Sequence, residues 1–464
     1  MVESSLINGV VNVSILKSLN REQKEAVGLL QIGTFLEYFD LMLYVHMAVI
    51  MNDIFFPKTD PHTAALLSSF AFCSTFILRP FGALVFGYIG DNIGRKATVI
   101  ITTMMMSTSC IVMATLPTYA QIGISAAWIV TICRVVQGLS SMGEVMGAYV
   151  YMTEITKPPL RYPAVSFISL ASALGASAAL GVATLVTKFD LNWRNAFWIG
   201  AGIALVGSVA RTRLRETPDF IESKAKAELK RQKKLDILVA ESAEKREAVN
   251  RKTVLAFFLI YCGNPVCFYL LYIFFNPILM SKYGFSNSDI IFNNFLLANI
   301  DVVSCSVLTF LSYRIYPLKI LKFKSSLFLV FVAFLPFIIE NTTNFYQIFA
   351  VQFLVLATAL DAPPANGIFI KHIPVLRRMT AASFIYALSR AIMYIITSFG
   401  LVYLTEGLGY YGLWIVVIPV TVGYIWAVRY FEKIERISSL EKTAILEATG
   451  MYEELLLNSD KKIA

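Results

Sequence analysis

The chain has 464 residues, of which 57% are hydrophobic and 15% are charged, and its formal net charge is +9. This composition is too apolar for a water-soluble globular protein, because the excess apolar surface has to face lipid. The basic residues are grouped in particular loops and do not form a stripe with interleaved aromatic residues, which argues against nucleic-acid binding.

Residues 1–25 lack the compact apolar core and the cleavage site of a signal peptide, so they are predicted to form a cytoplasmic tail before an uncleaved first span. Apolar runs of about 20 residues, enough to cross a bilayer as a helix, then recur between short polar breaks. The first six lie at 26–51, 64–89, 97–116, 126–152, 163–187 and 195–210. The next six lie at 253–280, 290–311, 325–339, 345–370, 381–404 and 411–431.

These runs predict an all-α membrane protein with about twelve transmembrane helices in two six-helix bundles. The bundles are predicted at 26–210 and 253–431. The segment 211–252 between them mixes Lys, Arg and Glu and is predicted to be a cytoplasmic linker. Residues 432–464 are predicted to be a second cytoplasmic tail.

Lysine and arginine residues are concentrated in alternate loops, and the positive-inside rule therefore predicts the topology. Besides the linker, the rich loops contain Arg95, Lys96, Lys157, Arg161, Arg314, Lys319, Lys322, Lys324, Lys371, Arg377 and Arg378. The opposite loops hold few basic residues, among them Lys58, Lys188 and Lys282. Both termini are therefore expected in the cytoplasm.

The two halves contain one pair of similar segments, each just before the fifth span of its half. Pro159 to Phe167 reads PLRYPAVSF and Leu376 to Phe384 reads LRRMTAASF. They match at four positions, among them Arg161 with Arg378. Many transporters are built from repeated bundles around a central site, so this similarity favours two related halves.

Ionisable side chains inside the predicted spans are the main functional candidates, because each is costly in lipid unless it faces protein or water. The first span carries Glu37 and Asp40, which share one helical face with Gly33 and Tyr44. In the second span Arg79 is followed by a proline, which loosens the helix beside the charge.

The fourth span has a polar seam whose members are three or four residues apart, so they lie along one side of a helix. The seam consists of Arg134, Gln137, Ser141, Glu144, Ala148 and Tyr151. Such a seam is expected to face the interior of the bundle. Glu144 is a possible partner for one of the buried arginines.

The second half places Asp301, Asp361 and Arg390 near the middle of predicted spans, and Asp361 precedes Pro363 and Pro364. A broken helix beside a carboxylate is typical of ion and substrate sites in transporters. In the spans as a whole five acids face three arginines, so some acids are expected to bind a proton or cation during a cycle. The alternative is that these groups pair with one another and only lock the bundle. A lesser candidate for proton handling is His46.

The loop after the second span has a more specific pattern. Gly87 to Lys96 reads GYIGDNIGRK, with Asp91, Gly94, Arg95 and Lys96 in the order of the signature loop of the major facilitator superfamily, which it resembles. The glycine allows a tight turn, the aspartate suits a helix N-terminus or a cation, and the basic pair is expected at the anionic leaflet. The resemblance implies a role in gating.

Further motifs resemble the metabolite:proton symporter family within that superfamily, and most of all its proline/betaine transporters. They are EYFD (37–40), ILRPFG (77–82), RVVQGLSSMGE (134–144), NWRNAFW (192–198) and LRETPDF (214–220). The resemblance implies alternating access between two six-helix bundles and proton-coupled uptake of osmolytes or organic acids. The segment 312–319, SYRIYPLK, departs from a second copy of the gating motif because it lacks the acid and the glycine.

On this interpretation Glu37 and Asp40 couple transport to the proton or bind the positive end of the substrate. Arg79 and Arg134 are expected to bind a substrate carboxylate, because a guanidinium group can do so through two hydrogen bonds. The proton gradient supplies the drive, with sodium left as an alternative. Open alternatives for function are a non-concentrative facilitator or exporter, and a membrane sensor that has lost transport.

No segment has the pattern of an enzyme or of a metal site. All six cysteines lie in apolar segments without CxxC pairs, so they are predicted to be reduced packing residues. Nucleophile–base pairs and phosphate-binding glycine loops are likewise missing from the sequence. The expected partners are a small-molecule metabolite and the lipid bilayer, with no cofactor, nucleic acid or obligate protein partner.

Overall fold

The computed structural model describes residues 21–56, 76–189, 191–211, 221–222, 224–225 and 250–436. Among these residues every long regular element is a helix, and no strand occurs. This agrees with the predicted all-α class, since only helices and closed barrels satisfy all backbone polar groups in lipid.

Six helices make up the N-terminal half: α1 Arg21–Phe55, α2 Arg79–Asn92, α3 Arg95–Thr115, α4 Ile124–Ile155, α5 Arg161–Lys188 and α6 Arg194–Arg211. The C-terminal half has six more: α7 Arg251–Tyr283, α8 Asn287–Leu311, α9 Pro317–Asn341, α10 Phe345–Lys371, α11 Val375–Leu408 and α12, 412–436. Within the described residues, ten helical segments are long and apolar enough to cross a membrane. The shorter α2 and α6 complete the predicted count of about twelve.

The predicted start of the second span at 64 lies outside the described residues, and the other predicted boundaries agree with the helices to within about six residues, except at α9. That helix begins at Pro317, eight residues before the predicted start at 325, so it includes Lys319, Lys322 and Lys324. The prediction that these three lysines lie in a loop was therefore wrong. Most of the predicted tails and linker falls outside the described residues, although α1 begins at Arg21 and α12 continues to residue 436.

Three of the C-terminal helices are irregular at membrane depth. Helix α7 contains Pro265 and then a π-helical turn at Leu270–Phe274, and α11 has a second π-helical turn at Ile396–Gly400. Helix α10 stops at Thr358 and resumes after a short 3₁₀ turn at Pro363–Ala365. Proline removes a backbone donor and clashes with the preceding turn, which explains the irregularity of α7 and α10. Helix α11 has no proline, and its π-helical turn is an insertion in the regular helix.

Two arginines occupy equivalent places in the two halves. The Nε of Arg161 donates to the carbonyl oxygen of Thr156 at 2.8 Å, and the Nε of Arg378 donates to that of Ile373 at 3.1 Å. In each case the acceptor precedes the arginine by five residues, at the start of the fifth helix of its half. The matched sequence segments thus adopt the same local structure, as the predicted repeat requires.

The halves pack along two helix pairs, α5 with α8 and α2 with α11. Close approach in the second pair depends on Gly87, where a Cβ atom would come within 2.6 Å of the Cα of Thr380. The end of the bundle that carries Asp91, Arg95, Arg161 and Arg378 is called the basic end below.

Candidate functional site

A cavity of about 170 Å³ lies between the two halves. Helices α1, α4 and α5 line it from the N-terminal half, and α7, α8, α10 and α11 line it from the C-terminal half. Its charged lining residues within the described chain are Asp301, Asp361 and Arg390. A space of this size admits several water molecules or one small metabolite.

Tyrosines form much of the remaining wall of the cavity. They come from both halves: Tyr38, Tyr149, Tyr261, Tyr272 and Tyr386. Aromatic faces attract cations and also present an apolar surface, so this wall suits a small solute that carries an ammonium group.

Arg390 on α11 is 7% exposed and lies with its guanidinium carbon 3.9 Å from the centre of the Tyr386 ring. Its Nη2 donates to the Oδ1 of Asn264 at 2.9 Å, just before the proline of α7. Its Nη1 is buried and has no hydrogen-bond partner. A buried guanidinium nitrogen without an acceptor is costly, so this group is ready to bind an anion that enters the cavity.

Asp361 lies in the break of α10, where its carboxylate Oδ1 accepts a hydrogen bond from the Nζ of Lys324 at 2.7 Å. The two side chains are 19% and 9% exposed, so the pair is largely shielded from solvent. Asp301 on α8 interacts electrostatically with both of these residues. No salt bridge to Asp301 occurs within the described part of the chain, and the residue lines the cavity.

Asp40 on α1 and Arg134 on α4 are 3% and 4% exposed and interact electrostatically. Asp40 accepts a hydrogen bond from the thiol of Cys110 at 3.1 Å through Oδ1, whereas its Oδ2 has no hydrogen-bond partner. Arg134 donates to Gln137 at 2.7 Å and lies over the ring of Tyr44 at 4.0 Å. The seam residues Ser141, Ala148 and Tyr151 are buried on the same helix.

Glu37 and Arg79 are likewise buried, at 1% and 3% exposure, and interact electrostatically. The guanidinium carbon of Arg79 lies 4.4 Å from the centre of the Phe76 ring, and its charge also interacts with Tyr386 and Arg390. The side chains of Glu144 and His46 lie outside the described part of the structure.

The structure therefore divides the predicted substrate and coupling residues into two groups. Asp301, Asp361 and Arg390 line the cavity. The lining does not include Glu37, Asp40, Arg79, Arg134 or Gln137, so the predicted substrate and coupling residues do not all share one cavity in this conformation. The reason lies in the register of α1, which turns Tyr38 and Met42 to the cavity. Residues 37 and 40 are on a different side of the helix.

The predicted gating loop connects the two halves at the basic end. The carboxylate of Asp91 accepts hydrogen bonds from the backbone nitrogens of Met379 and Thr380 at 3.1 and 2.8 Å. It also pairs with Arg95 at 3.1 Å. Gly94 has a φ of 150°, which an L side chain rarely adopts, so the turn between α2 and α3 requires glycine.

Arg95 is fully buried, contrary to the expectation that it lies at the lipid surface, whereas Lys96 is partly exposed. The Nη2 of Arg95 donates to the carbonyl oxygen of Val375 at 2.9 Å and to Glu154 at 3.3 Å. Glu154 also pairs with Arg378 at 3.1 Å. These contacts hold the two halves together at the basic end. Burial of Arg95 follows from the inter-half docking, which removes it from the leaflet surface.

The loop of the second half that lacks the gating pattern contributes a different contact. Tyr316 there lies edge-on to Tyr162 of the first half, with the ring centres 5.9 Å apart. The two halves thus close the basic end with unlike groups, polar in one loop and aromatic in the other.

Three residues that the sequence did not single out complete these sites: Lys324, Glu154 and Asn264. Glu154 lies beyond the predicted end of the fourth span at 152, and Asn264 is neutral, so neither met the criterion of a charge at membrane depth. The spacing along α9 could have identified Lys324. It lies on the same helical face as Phe328, Val332 and Leu335, which are buried.

A family model described as the Major Facilitator Superfamily matches residues 30–398. The inner membrane metabolite transport protein YhjE of Escherichia coli K12 is 37% identical over 221 residues, which cover 46% of this chain and 50% of that protein. The proline/betaine transporter of Salmonella typhimurium is 31% identical over 204 residues, or 42% of this chain and 41% of that one. The chain thus spans about half the length of the curated relatives it matches.

Solved transporter structures share the fold over nearly the whole chain. The proton:xylose symporter XylE of E. coli superposes with a TM-score of 0.72 at 14% identity, covering 89% of this chain and 95% of that one. The human organic anion transporter MFSD10 gives a TM-score of 0.64 at 14% identity, covering 88% and 100%. At this level of identity the likeness shows the fold alone. It confirms the predicted major facilitator architecture.

Proposed function

The chain belongs to the Major Facilitator Superfamily, and from that premise we propose that it is a secondary transporter that couples uptake of a small zwitterionic osmolyte or organic acid to the proton gradient. It is a multi-pass membrane protein, and its matched relatives are described as transporters and not as enzymes. The proposal rests on the cavity between the halves and on the charges that line it.

The main support for the proposal is a guanidinium nitrogen of Arg390 that has no hydrogen-bond partner. Its Nη1 is buried without a hydrogen-bond partner while Asn264 fixes the other side of the guanidinium group. A carboxylate in the cavity would supply the missing acceptor through a charge-assisted hydrogen bond. This favours a solute with a carboxylate group.

The opposite charge is also present in the same cavity. Asp301 faces the space from α8, and tyrosine rings cover much of the wall. A solute with both a carboxylate and an ammonium group could therefore satisfy Arg390 and Asp301 at once. This agrees with the sequence similarity to proline/betaine transporters, whose named substrates carry both groups.

Proton coupling is supported by the buried carboxylates of the N-terminal half. Asp40 has one carboxylate oxygen without a hydrogen-bond partner beside a fully desolvated arginine. A carboxylate in such a place exchanges a proton more readily than one that is fully hydrogen-bonded. We assign Glu37 and Asp40 to coupling on this ground, with sodium as the alternative driving ion.

Alternating access would open and close the contacts at the basic end. Asp91, Arg95 and Glu154 bind Thr380, Val375 and Arg378 of the other half there. These contacts would break when the cavity opens to that side. The abundance of lysine and arginine at this end supports a cytoplasmic location by the positive-inside rule. The proposal therefore includes cytoplasmic termini and insertion in the inner membrane.

The test is uptake by the purified protein in liposomes with an imposed pH gradient. Labelled proline, glycine betaine, succinate and citrate are offered with the gradient present and after its collapse by a protonophore. Accumulation above equilibrium that requires the gradient is expected for a zwitterion or an acid. Equilibration regardless of the gradient would instead indicate a facilitator, and binding without flux would indicate a sensor.

A matched pair of variants tests the role of Arg390. Arg390→Gln should reduce uptake by about a hundredfold, since a charged hydrogen bond to the solute is lost. Arg314→Gln is the control, because Arg314 also lies near an aromatic ring four residues earlier, Phe310 at 5.4 Å, but is exposed. Equal uptake by both variants would remove Arg390 from the binding site.

A further inference from the structure

Lys324 is a lysine within a membrane-spanning helix whose charge is paired with a carboxylate at the cavity. It lies about two turns from the start of α9, and its Nζ is 2.7 Å from the Oδ1 of Asp361. The side chain of Lys324 is 9% exposed. An ammonium group at this depth needs a counter-ion, because it is shielded from bulk water and a buried unpaired charge is costly.

The register of α9 shows that Lys324 faces the interior. Phe323, Leu327, Val330, Phe334 and Phe337 on this helix are exposed large apolar residues, as expected of a face that contacts lipid. Lys324 lies on the opposite face with Phe328, Val332, Leu335 and Ile339, all of which are buried. The lysine therefore reaches inward to Asp361 instead of turning to the membrane surface.

Other helices hold Asp361 in place without the lysine. The hydroxyl group of Tyr424 on α12 donates to the carbonyl oxygen of Asp361 at 2.7 Å, and the backbone nitrogen of Leu360 lies 3.4 Å from the Sγ of Cys267 on α7. The break in α10 is thus anchored on both sides. Removal of Lys324 would leave the carboxylate at the cavity, now without its counter-ion.

The charges around the cavity then balance in a particular way. Two carboxylates, Asp301 and Asp361, face two cations, Arg390 and Lys324. Because Lys324 neutralises Asp361, the groups left for a solute are one guanidinium and one carboxylate. A solute that matches them has one negative and one positive group and no net charge.

We propose that Lys324 is a specificity-determining residue, which neutralises Asp361 and so makes the cavity select solutes with no net charge over cations and anions. The inference rests on the proposed function, since it concerns the same cavity. Lys324 itself does not contact the solute. It acts through Asp361.

The test uses three probes of nearly equal shape and different net charge. Glycine betaine is a zwitterion, choline is a cation, and 3,3-dimethylbutyrate is an anion in which carbon replaces the quaternary nitrogen. Apparent dissociation constants for each probe are measured on the purified full-length protein by the shift of its melting temperature with probe concentration. The parent should prefer glycine betaine.

The variants should shift the preference in opposite directions. Lys324→Gln leaves an unpaired carboxylate, so the affinity for choline relative to glycine betaine should rise about tenfold or more. Asp361→Asn leaves an unpaired ammonium group, so the relative affinity for 3,3-dimethylbutyrate should rise by about the same factor. The double variant Lys324→Gln/Asp361→Asn restores the balance and should return to the parent's order of preference.

An unchanged order of preference in both single variants would overturn the proposal. If a single variant does not fold, the other single variant and the charge-balanced double variant decide the matter by the same ratios. A parent that binds none of the probes would contradict the proposed function. In that case Lys324→Gln decides the role of Lys324. If this variant gains binding of choline, the role is supported, and if it does not, the role is overturned.

Discussion

The carboxylate of Asp91 accepts two hydrogen bonds from Thr380, one from its backbone nitrogen at 2.8 Å and one from its hydroxyl group at 2.6 Å. Asp91 lies in the last turn of α2 in one half, and Thr380 lies near the start of α11 in the other. These bonds therefore join the halves directly at the basic end in the described conformation.

We predict that Asp91→Asn weakens this closure, because the amide keeps one acceptor oxygen and loses the charge that Arg95 binds. Uptake should fall about tenfold, in keeping with the loss of one charge-assisted contact. Hydrogen–deuterium exchange should become faster in the 375–385 segment, where one of the two backbone nitrogens bound to Asp91 loses its acceptor. Asn92→Ala is the control, since the Asn92 side chain is exposed and donates to the carbonyl oxygen of Tyr88 in its own helix. Equal exchange in both variants would contradict the gating role.

A second prediction concerns Glu154, which is buried between Arg95 and Arg378 at 3.3 and 3.1 Å. Glu154→Gln leaves two buried guanidinium groups without their shared counter-ion, a change that costs about 3 kcal/mol or more in other proteins. The melting temperature should fall by several degrees. Glu432→Gln provides the comparison, because Glu432 also pairs with two cations, Lys322 and Arg436, but near the surface. Its effect should stay below about 1 kcal/mol.

Third, Gly87→Ala should impair closure of the basic end through steric contact alone. The added Cβ would lie 2.6 Å from the Cα of Thr380, which is too close for any real pair of carbon atoms, so α2 and α11 must move apart. Faster exchange in the 375–385 segment and slower uptake are expected. Gly28→Ala on α1 meets no atom within 4 Å and should behave as the parent. If Gly87→Ala is equally silent, the close packing of these helices does not matter for transport.

The sequence sufficed for the helices because each is an apolar run bounded by polar breaks, which hydropathy detects directly. It also identified Arg161 and Arg378 as equivalent, and the structure gives them the same hydrogen bond. It misplaced Lys324, because the count of basic residues near span ends treats every lysine as a loop residue. Lys324 instead lies on the buried face of α9, within the helix.

The composition of the cavity could not be predicted from single helices. Which face of α1 turns to the cavity depends on how the two halves dock, and no local pattern encodes that. Glu37 and Asp40 met the criterion of a charge at membrane depth, yet Tyr38 and Met42 are the residues that line the space. The position of charged residues within the apolar runs thus predicted which side chains are buried. Which of them line the cavity could be seen only in the tertiary structure.

Fourth, Glu37→Gln or Asp40→Asn should abolish accumulation of substrate against a gradient and leave counterflow partly intact. The physical reason is that an amide cannot carry the exchanged proton but still occupies the same volume. Asp289→Asn is the control, since Asp289 is an exposed carboxylate that caps α8 through Ser286. If both buried variants still concentrate substrate under a pH gradient as the parent does, the coupling role of these residues is wrong.

The last prediction separates two buried arginines. Arg79 and Arg390 each lie over an aromatic ring of their own chain segment, Phe76 at 4.4 Å and Tyr386 at 3.9 Å, but only Arg390 belongs to the cavity lining. Lysine keeps the charge and loses the planar pair of donors, so Arg390→Lys should weaken binding of a carboxylate solute by about tenfold. Arg79→Lys should change that affinity much less in the conformation described, because Arg79 does not reach the space.

The comparison is made by equilibrium binding of glycine betaine and choline to the purified variants. A carboxylate contact predicts that Arg390→Lys weakens only the binding of glycine betaine, since choline has no carboxylate. Equal losses for both probes would mean that the substitution disturbs the cavity as a whole. A larger loss of glycine betaine binding in Arg79→Lys than in Arg390→Lys would move the carboxylate site to the N-terminal half, where Glu37 and Arg79 interact. The described cavity would then be only part of the path that the solute takes.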